Sequence, residues 1–298
     1  MENNYINRLK INMFEQGYST SYIDRCCSYA TSLISQNLPV IFDKKHLNQI
    51  LMLDTLKLDC YHEFEIYTKG KSRMILAPSK PLKLRQRWIL DEILNKLPTN
   101  QCCHGFVQQR SIKTNAEMHV NKTQVLCMDI HNFFPSININ QVFEVFHCVG
   151  YTSDVAQALA QLCTHNAILP QGAPASPTLA NIIFSPIDQQ ILKAISTKEI
   201  TYTRYADDLI FSSSHELDFL IPLVSEIIST NGFEINSNKT HLMKNPYRKM
   251  ITGLIVTDTV KIPKYYKRKF NQELFYCEKY FIKFTFCFLF RMILYKFF

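Results

Sequence analysis

Thr203-Arg204-Tyr205-Ala206-Asp207-Asp208-Leu209-Ile210-Phe211 sets two adjacent carboxylates between two runs of β-forming residues. Aromatic and β-branched side chains favour strands, and the pattern over 200–213 breaks only around Ala206-Asp207-Asp208. The segment therefore predicts a β-hairpin with both acids at its tip. Alone, such a tip reads as a solvated turn. A third acid changes that reading: in Leu126-Cys127-Met128-Asp129-Ile130, a carboxylate stands near the end of an apolar strand predicted over 124–130. A buried carboxylate costs several kcal/mol unless it is paired or bound to a cation. Three acids converging on adjacent strands repel one another, and a divalent metal is the usual remedy. An all-oxygen ligand set suits Mg²⁺, which completes its shell with waters and substrate phosphates. Two such ions, about 3.5–4 Å apart, activate an attacking hydroxyl and stabilise the leaving oxygen in phosphoryl transfer.

The segments around these strands supply the fold class. Residues 1–56 read as polar helices, with Ile23, Ala30, Leu33 and Ile34, then Leu47, Ile50 and Leu51, at helical spacing. Tyr61 to Pro78 reads as a hairpin around the basic turn Lys69-Gly70-Lys71. Helices are predicted over 82–97, ended by Pro98, and over 140–149, 176–195 and 216–230, the last stopping at Asn231-Gly232. Ser176 is the candidate cap of the long helix and Pro177 its first residue. A short strand is predicted at Phe233 to Ile235. This order predicts an α+β fold: an antiparallel sheet with helices on one face.

Composition narrows the classes. With 298 residues, 47% hydrophobic and 19% charged, the chain buries a sizeable core, which excludes disorder as its main state. Its seven glycines are all more than six positions apart, which excludes a Walker loop and a dinucleotide fingerprint. The ten cysteines form no C-x-x-C, so reduced core thiols in a cytoplasmic chain are expected rather than zinc ligands or disulfides. The N-terminus shows no basic and apolar leader, so no secretory signal is expected. Of the formal net charge of +8, +7 falls from Lys249 onward, and a second basic run from Lys69 to Arg87 holds no acid. Two separated basic stretches suit a polyanion tracked along its length.

Tyr205-Ala206-Asp207-Asp208 resembles the YxDD signature of reverse transcriptases. Asp129-Ile130 followed by Phe133-Phe134-Pro135-Ser136 is similar to the family's first metal-binding motif, and Leu169-Pro170-Gln171-Gly172-Ala173-Pro174-Ala175-Ser176-Pro177 to its LPQG-x-x-x-SP motif. The resemblance runs from about Tyr61 to about Lys279. It implies a right-hand polymerase whose palm is the antiparallel sheet, with fingers and a basic, incomplete thumb. The corresponding boundaries are an N-terminal helical extension over 1–56, fingers and palm over 57–240, and a thumb region over 241–298, aberrant after about 280.

Residue by residue, the resemblance implies that Asp129, Asp207, Asp208 and the Ile130 carbonyl hold two Mg²⁺ ions. Phe134 matches the ring that lies under the incoming sugar and disfavours a 2′-hydroxyl. Gln171 and Gly172 match the loop behind the incoming nucleotide, and Tyr205 opens the signature beside it. Lys71 and Arg73 match the clamp on the triphosphate of the dNTP, although the shortened turn leaves Lys69 as a rival to Lys71. Lys239 matches a lysine that protonates departing pyrophosphate; an exposed phosphate-facing charge is the alternative. Lys264, Tyr265, Lys267 and Arg268 form the expected RNA-binding surface of the thumb, against the simpler reading of a solvated helix.

Two elements narrow the subgroup. Asn115-Ala116-Glu117-Met118-His119 fits the NA-x-x-H element of bacterial retron reverse transcriptases, and Ile251-Thr252-Gly253 their VTG element, with Ile for Val. His119 also reads simply as a satisfied structural histidine bonded to backbone. The retron resemblance implies a cognate structured noncoding RNA as template and primer, a branched RNA–DNA product, and antiphage defence beside an effector protein. Seven phenylalanines crowd the last 18 residues; interrupted by Lys283, Arg291 and Lys296, that stretch suits no membrane span and reads as a frameshifted or truncated end. The rival readings are a group II intron or other defence-associated reverse transcriptase, and an RNA-binding protein with a damaged thumb.

Overall fold

The computed structural model describes residues 2–52, 61–68, 71–244 and 248–279. In chain order these form helices α1 (Glu2–Glu15), α2 (Thr20–Ser35) and α3 (Lys44–Leu51), strands β1 (Tyr61–Thr68) and β2 (Lys71–Pro78), and helices α4 (Lys80–Glu92) and α5 (Ile112–Glu117). Strand β3 (Gln124–Asp129) follows, then helices α6 (Ile139–Cys148), α7 (Ser153–Cys163) and α8 (Ser176–Ile195), and the strands β4 (Thr201–Tyr205) and β5 (Asp208–Ser213). The chain continues through α9 (Leu220–Thr230), the short strands β6 (His241–Met243), β7 (Lys249–Ile251), β8 (Leu254–Val256) and β9 (Val260–Lys261), and helix α10 (Lys264–Lys279). The fold is α+β, as expected, and no described helix is long and apolar enough to cross a membrane.

The chain divides into two compact units, each assembled from separate stretches. The first takes Met1–Pro98 and Phe134–Ile183. Its helices are closed by local chemistry: Asp43 accepts from the His46 N–H at 2.7 Å at the start of α3, and Asn138 and Gln141 form a capping box at the start of α6. Helix α7 buries Val155, Leu159 and Leu162 together with Ala156 and Ala160, whose small side chains admit close neighbours. Among the described residues, strands β1 and β2 form a sheet of their own, from Tyr61 opposite Pro78 to Thr68 opposite Lys71.

The second unit takes Thr99–Phe133 and everything from Phe184 onward. Its main sheet is antiparallel in the order β4-β5-β3-β6. The strand burial follows composition: Val125, Leu126, Leu209, Ile210 and Phe211 are buried, and of these Val125 and Ile210 join Ala116 and the β7–β8 residues Ile251, Leu254 and Val256 in a core cluster. Phe133, Phe184 and Phe233 meet ring to ring at 5.4–6.0 Å between centroids. The strand expected at Phe233 to Ile235 is reduced to a single bridge between Ile130 and Ile235.

The described cysteines are free thiols, with Cys103 and Cys163 buried and Cys148 exposed. Burial pushes the Cys163 thiol up to about 12 and also raises Cys103.

Candidate active site

The β3–β5 register places Asp129 directly opposite Asp208. The Ile130 N–H donates to the Asp207 carbonyl at 2.9 Å, which makes Asp129 and Asp208 a non-hydrogen-bonded pair. In such pairs the facing Cα atoms stand about 4.5 Å apart and the side chains come closest. Two like charges in that position repel across the strands. Burial, then the Asp207 and Asp129 charges, push the Asp208 carboxyl up to about 7, with Lys239 pulling in the opposite direction. Lys239 stands on a one-turn helix, Ser237–Lys239, that follows the Asn236 N–H bond to the Asp129 carbonyl (2.8 Å). Its ammonium lies 2.7 and 2.6 Å from the two carboxylate oxygens of Asp129.

Like charges crowded around Asp208 favour a cation there. The acids do not form a closed ligand set: among the described residues, no three His, Cys, Asp or Glu side chains are gathered tightly enough to hold an ion alone. The sequence reading expected all three carboxylates to converge. Asp129 faces Asp208 across the strands and is engaged by Lys239, Asp207 sits next to Asp208 in the turn, and the charges of both Asp207 and Asp129 act on Asp208. Such an incomplete set suits a hard cation that draws its other ligands from water and substrate phosphate.

The turn itself is tightly held. Ala206 adopts a left-handed conformation, φ +57°, a cost of about 1–2 kcal/mol for a non-glycine residue. Gly105 passes so close that an added Cβ would sit 2.5 Å from the Ala206 nitrogen. Arg204 and Asp188 form an ion pair whose side chains are both 0% exposed, with Nη2 to Oδ2 at 2.8 Å. Burial alone would lower the Arg204 pKa, but Asp188 outweighs it and holds the guanidinium above its ordinary value. Beneath the tip, the fully buried His119 ring shares hydrogen bonds of 2.7 Å with Thr203 Oγ1 on β4 and Ser212 Oγ on β5. Burial first, then His104 and Lys122, lower its pKa to about 3, so the imidazole is neutral and one of its hydroxyl partners must be the donor. His119 is therefore a strand-to-strand staple, a structural histidine as the simpler reading has it, but bonded to two side-chain hydroxyls rather than to backbone.

Asn115 and Thr252, from the two elements that narrowed the subgroup, approach each other at 3.5 Å. Tyr205 is half-buried opposite Asp208, with the Phe106 ring 6.5 Å away. Phe133 points into the aromatic cluster of the second unit, whereas Phe134 is half-buried and belongs to the first.

Gln171 and Gly172 also belong to the first unit, where the Leu76 N–H of β2 donates to the Gln171 carbonyl at 2.9 Å. Gly172 is at φ +126°, and a Cβ there would meet Ile75 Cγ2 at 2.8 Å and the Leu76 carbonyl at 2.9 Å, so glycine is required. The expected cap is absent: Ser176 Oγ is buried with no hydrogen-bond partner among the described residues. Lys71 and Arg73 lie on β2, and their side chains fall outside the described residues, as do Lys69 and the segment from Tyr280 to the end.

On α10, Lys264, Lys267 and Arg268 are exposed at i, i+3 and i+4, with no ion-pair partner among the described residues. Tyr265 is 50% exposed beside Tyr266, their ring centroids 4.0 Å apart. A separate cleft of about 610 Å³ in the first unit, lined in part by Lys44, Tyr61 and His165, contains none of the anticipated site residues.

Sequence reasoning missed Asp188 and Arg204, although both carry a signal. Arg204 interrupts an otherwise buried strand, and Asp188 falls on the same helical stripe as Phe184, Ile191 and Ile195. A buried charge on each element calls for the other.

An antiparallel sheet with acids facing one another at its strand ends, inside an α+β fold, is the architecture of a polymerase palm. A model of the family described as reverse transcriptase (RNA-dependent DNA polymerase) matches residues 57–265, and the chain belongs to that family, in its bacterial retron branch. The Retron Ec86 reverse transcriptase of Escherichia coli is 37% identical over 222 residues, which cover 70% of this chain and 68% of that protein. The Retron Mx65 reverse transcriptase of Myxococcus xanthus is 35% identical over 211 residues, covering 64% and 49%. The Retron Se72 reverse transcriptase of Salmonella heidelberg is 29% identical over 260 residues, covering 83% and 68%. The matches thus span between about half and about two thirds of these relatives. Reverse transcriptases as a family use divalent metal ions.

Proposed function

We propose that this chain is a retron-type RNA-directed DNA polymerase that uses two Mg²⁺ ions to copy part of a cognate structured noncoding RNA into branched, RNA-linked single-stranded DNA. The observation that carries the reading is the facing pair Asp129–Asp208, with Asp207 next to it in the turn and burial and the neighbouring acids pushing the Asp208 carboxyl up to about 7. In the proposed reaction a primer hydroxyl attacks the α-phosphorus of a dNTP. The bond to the β-phosphate oxygen breaks, pyrophosphate leaves, and the hydroxyl proton is released. The bound cations supply charge neutralisation on the phosphates and acidify the attacking hydroxyl.

The chain's own groups divide the remaining work. Asp129, Asp207, Asp208 and the Ile130 carbonyl hold the cations. Lys239, in contact with Asp129, protonates the departing pyrophosphate. Lys71 and Arg73 grip the triphosphate, where the Arg fork suits bidentate phosphate contact. Phe134 excludes a 2′-hydroxyl from the incoming sugar, with Gln171, Gly172 and Tyr205 shaping the rest of that site. The exposed face Lys264, Tyr265, Lys267 and Arg268 contacts the RNA by charge and stacking. In this reading residues 1–56 are a helical extension, 57–240 the fingers and palm, and 241–298 the thumb region. The setting is the cytoplasm, and the product serves antiphage defence with an effector protein.

The test is extension of a labelled primer on an RNA template with Mg²⁺ and dNTPs, run on the whole chain and on Asp207→Ala. Extension that disappears in the variant supports the reading. RNA binding without extension by the unaltered chain favours an RNA-binding protein instead. A product whose DNA is joined to an internal guanosine 2′-hydroxyl of the RNA encoded beside the gene separates the retron from a group II intron enzyme.

A further inference from the structure

The Asp188–Arg204 pair has more than a packing role. Arg204 Nε lies 3.0 and 3.2 Å from the two oxygens of Asp188, and Nη2 lies 2.8 Å from Oδ2. Tyr202 donates to Asp188 Oδ1 at 2.8 Å, and the guanidinium lies over the Phe184 ring, 4.7 Å from its centroid. Arg204 is further fixed through its main chain, since its N–H donates to the Cys102 carbonyl and its carbonyl accepts from the His104 N–H. A fully buried ion pair gains little stability over apolar residues of the same volume. An apolar side chain could fill this space, but it could not do what Nη1 does, which is donate to the Ala206 carbonyl at 3.2 Å.

That carbonyl belongs to the peptide joining left-handed Ala206 to Asp207. The next carbonyl, of Asp207, is held by the Ile130 N–H. Two consecutive peptide planes are therefore pinned from two directions, and those planes set where the side chains of Asp207 and Asp208 emerge.

The geometry points to Arg204, oriented by Asp188, as a positioning residue for the carboxylate-bearing turn: its guanidinium fixes the Ala206–Asp207 peptide and so aims the two acids. This rests on the role given to those acids in the proposed function. Neither residue touches substrate; each acts through the turn.

The experiment uses the whole chain and two variants. In Tyr202→Phe/Asp188→Leu/Arg204→Met, apolar groups replace the polar set; in Arg204→Lys, a point-like ammonium replaces the planar fork whose separate nitrogens reach Asp188 and the Ala206 carbonyl. Two quantities are measured: amide hydrogen exchange over 203–209 in metal-free protein, and steady-state primer extension. The triple variant is expected to stay folded, to exchange at the tip about 10-fold faster or more, and to lose about 30-fold in kcat with KM for dNTP changed less than about threefold. Arg204→Lys is expected to lose about 10-fold in kcat with the same KM pattern. A folded triple variant with native tip exchange or native kcat overturns the proposal, as does Arg204→Lys with both unchanged. If the triple variant does not fold, Arg204→Lys decides. Unfolding of both assigns the pair to stability alone and also overturns it. Should the unaltered chain fail to extend primers, the polymerase reading falls, while the exchange measurement still decides whether the turn is held by Arg204.

Discussion

The β4–β5 hairpin lies in a four-stranded sheet with most side chains of its strands buried, whereas β1–β2 stands as a two-stranded ribbon with His62 to Tyr67 exposed. The first is fastened by His119 between its strands, by Arg204 beneath its turn and by Gly105 against its tip. The second is fastened near its base, where Gln86 donates to the Tyr61 hydroxyl at 2.7 Å and Leu76 bonds the Gln171 carbonyl. A two-stranded hairpin is marginal by itself. Carboxylates that must face one another need a fixed frame, and the chain gives them one. Basic side chains that close on a triphosphate need reach, which the exposed ribbon provides in the proposed function.

The contrast can be broken most sharply at its charged end. Asp208→Asn should abolish primer extension, a loss of about 10³-fold or more, yet raise the Tm of the metal-free protein by about 1–3 °C, because a buried like-charge contact disappears. A variant that is inactive and also less stable would contradict the electrostatics of the facing pair. Next in size is the divergence of neighbouring rings. Phe133→Ala should cost about 3–5 kcal/mol in denaturant unfolding, while Phe134→Ala should cost under about 1 kcal/mol and instead relax discrimination between dNTP and rNTP. On the ribbon side, Gly172→Ala should cost about 1–3 kcal/mol, since a methyl group meets β2 at a positive φ. A native Tm for that variant would show that the loop and β2 part easily.

The smallest effect is a pH slope. His119 is neutral in the folded chain down to about 3, while its ordinary value is 6.5. Its contribution to stability is therefore whole above 6.5 and is lost as pH falls toward 3, by up to about 1.4 kcal/mol per unit. His119→Gln should flatten that part of the dependence when urea unfolding is compared at pH 7.5 and 5.5.

Much of this was legible from pattern alone. The 176–195 periodicity gave α8 to the residue, even with Pro186 inside it. The apolar run at 124–130 gave β3, and the break at Ala206-Asp207-Asp208 gave the β4–β5 turn. Other elements depended on what lies far away in sequence. The helix predicted to 97 ends at Glu92 and tightens into a single turn at Leu94–Lys96, because local spacing does not report where the chain must bend. The strands β6 to β9, two or three residues each, are too short to show any period. At the site, the acids and Phe134 were recognisable by motif, but the Lys239 contact with Asp129 spans 110 positions and follows only from the bridge that brings 235 to 130.

The sealed thiols give each unit its own clock. Cys163 lies in the first and Cys103 in the second, both buried and both with raised pKa, and it is the thiolate rather than the thiol that attacks an alkylating reagent. Exposed Cys148 should be labelled at once, whereas each sealed sulfur should react only when its surroundings open. Timed alkylation followed by peptide mapping would then read the opening rate of either half separately, with no mutation introduced.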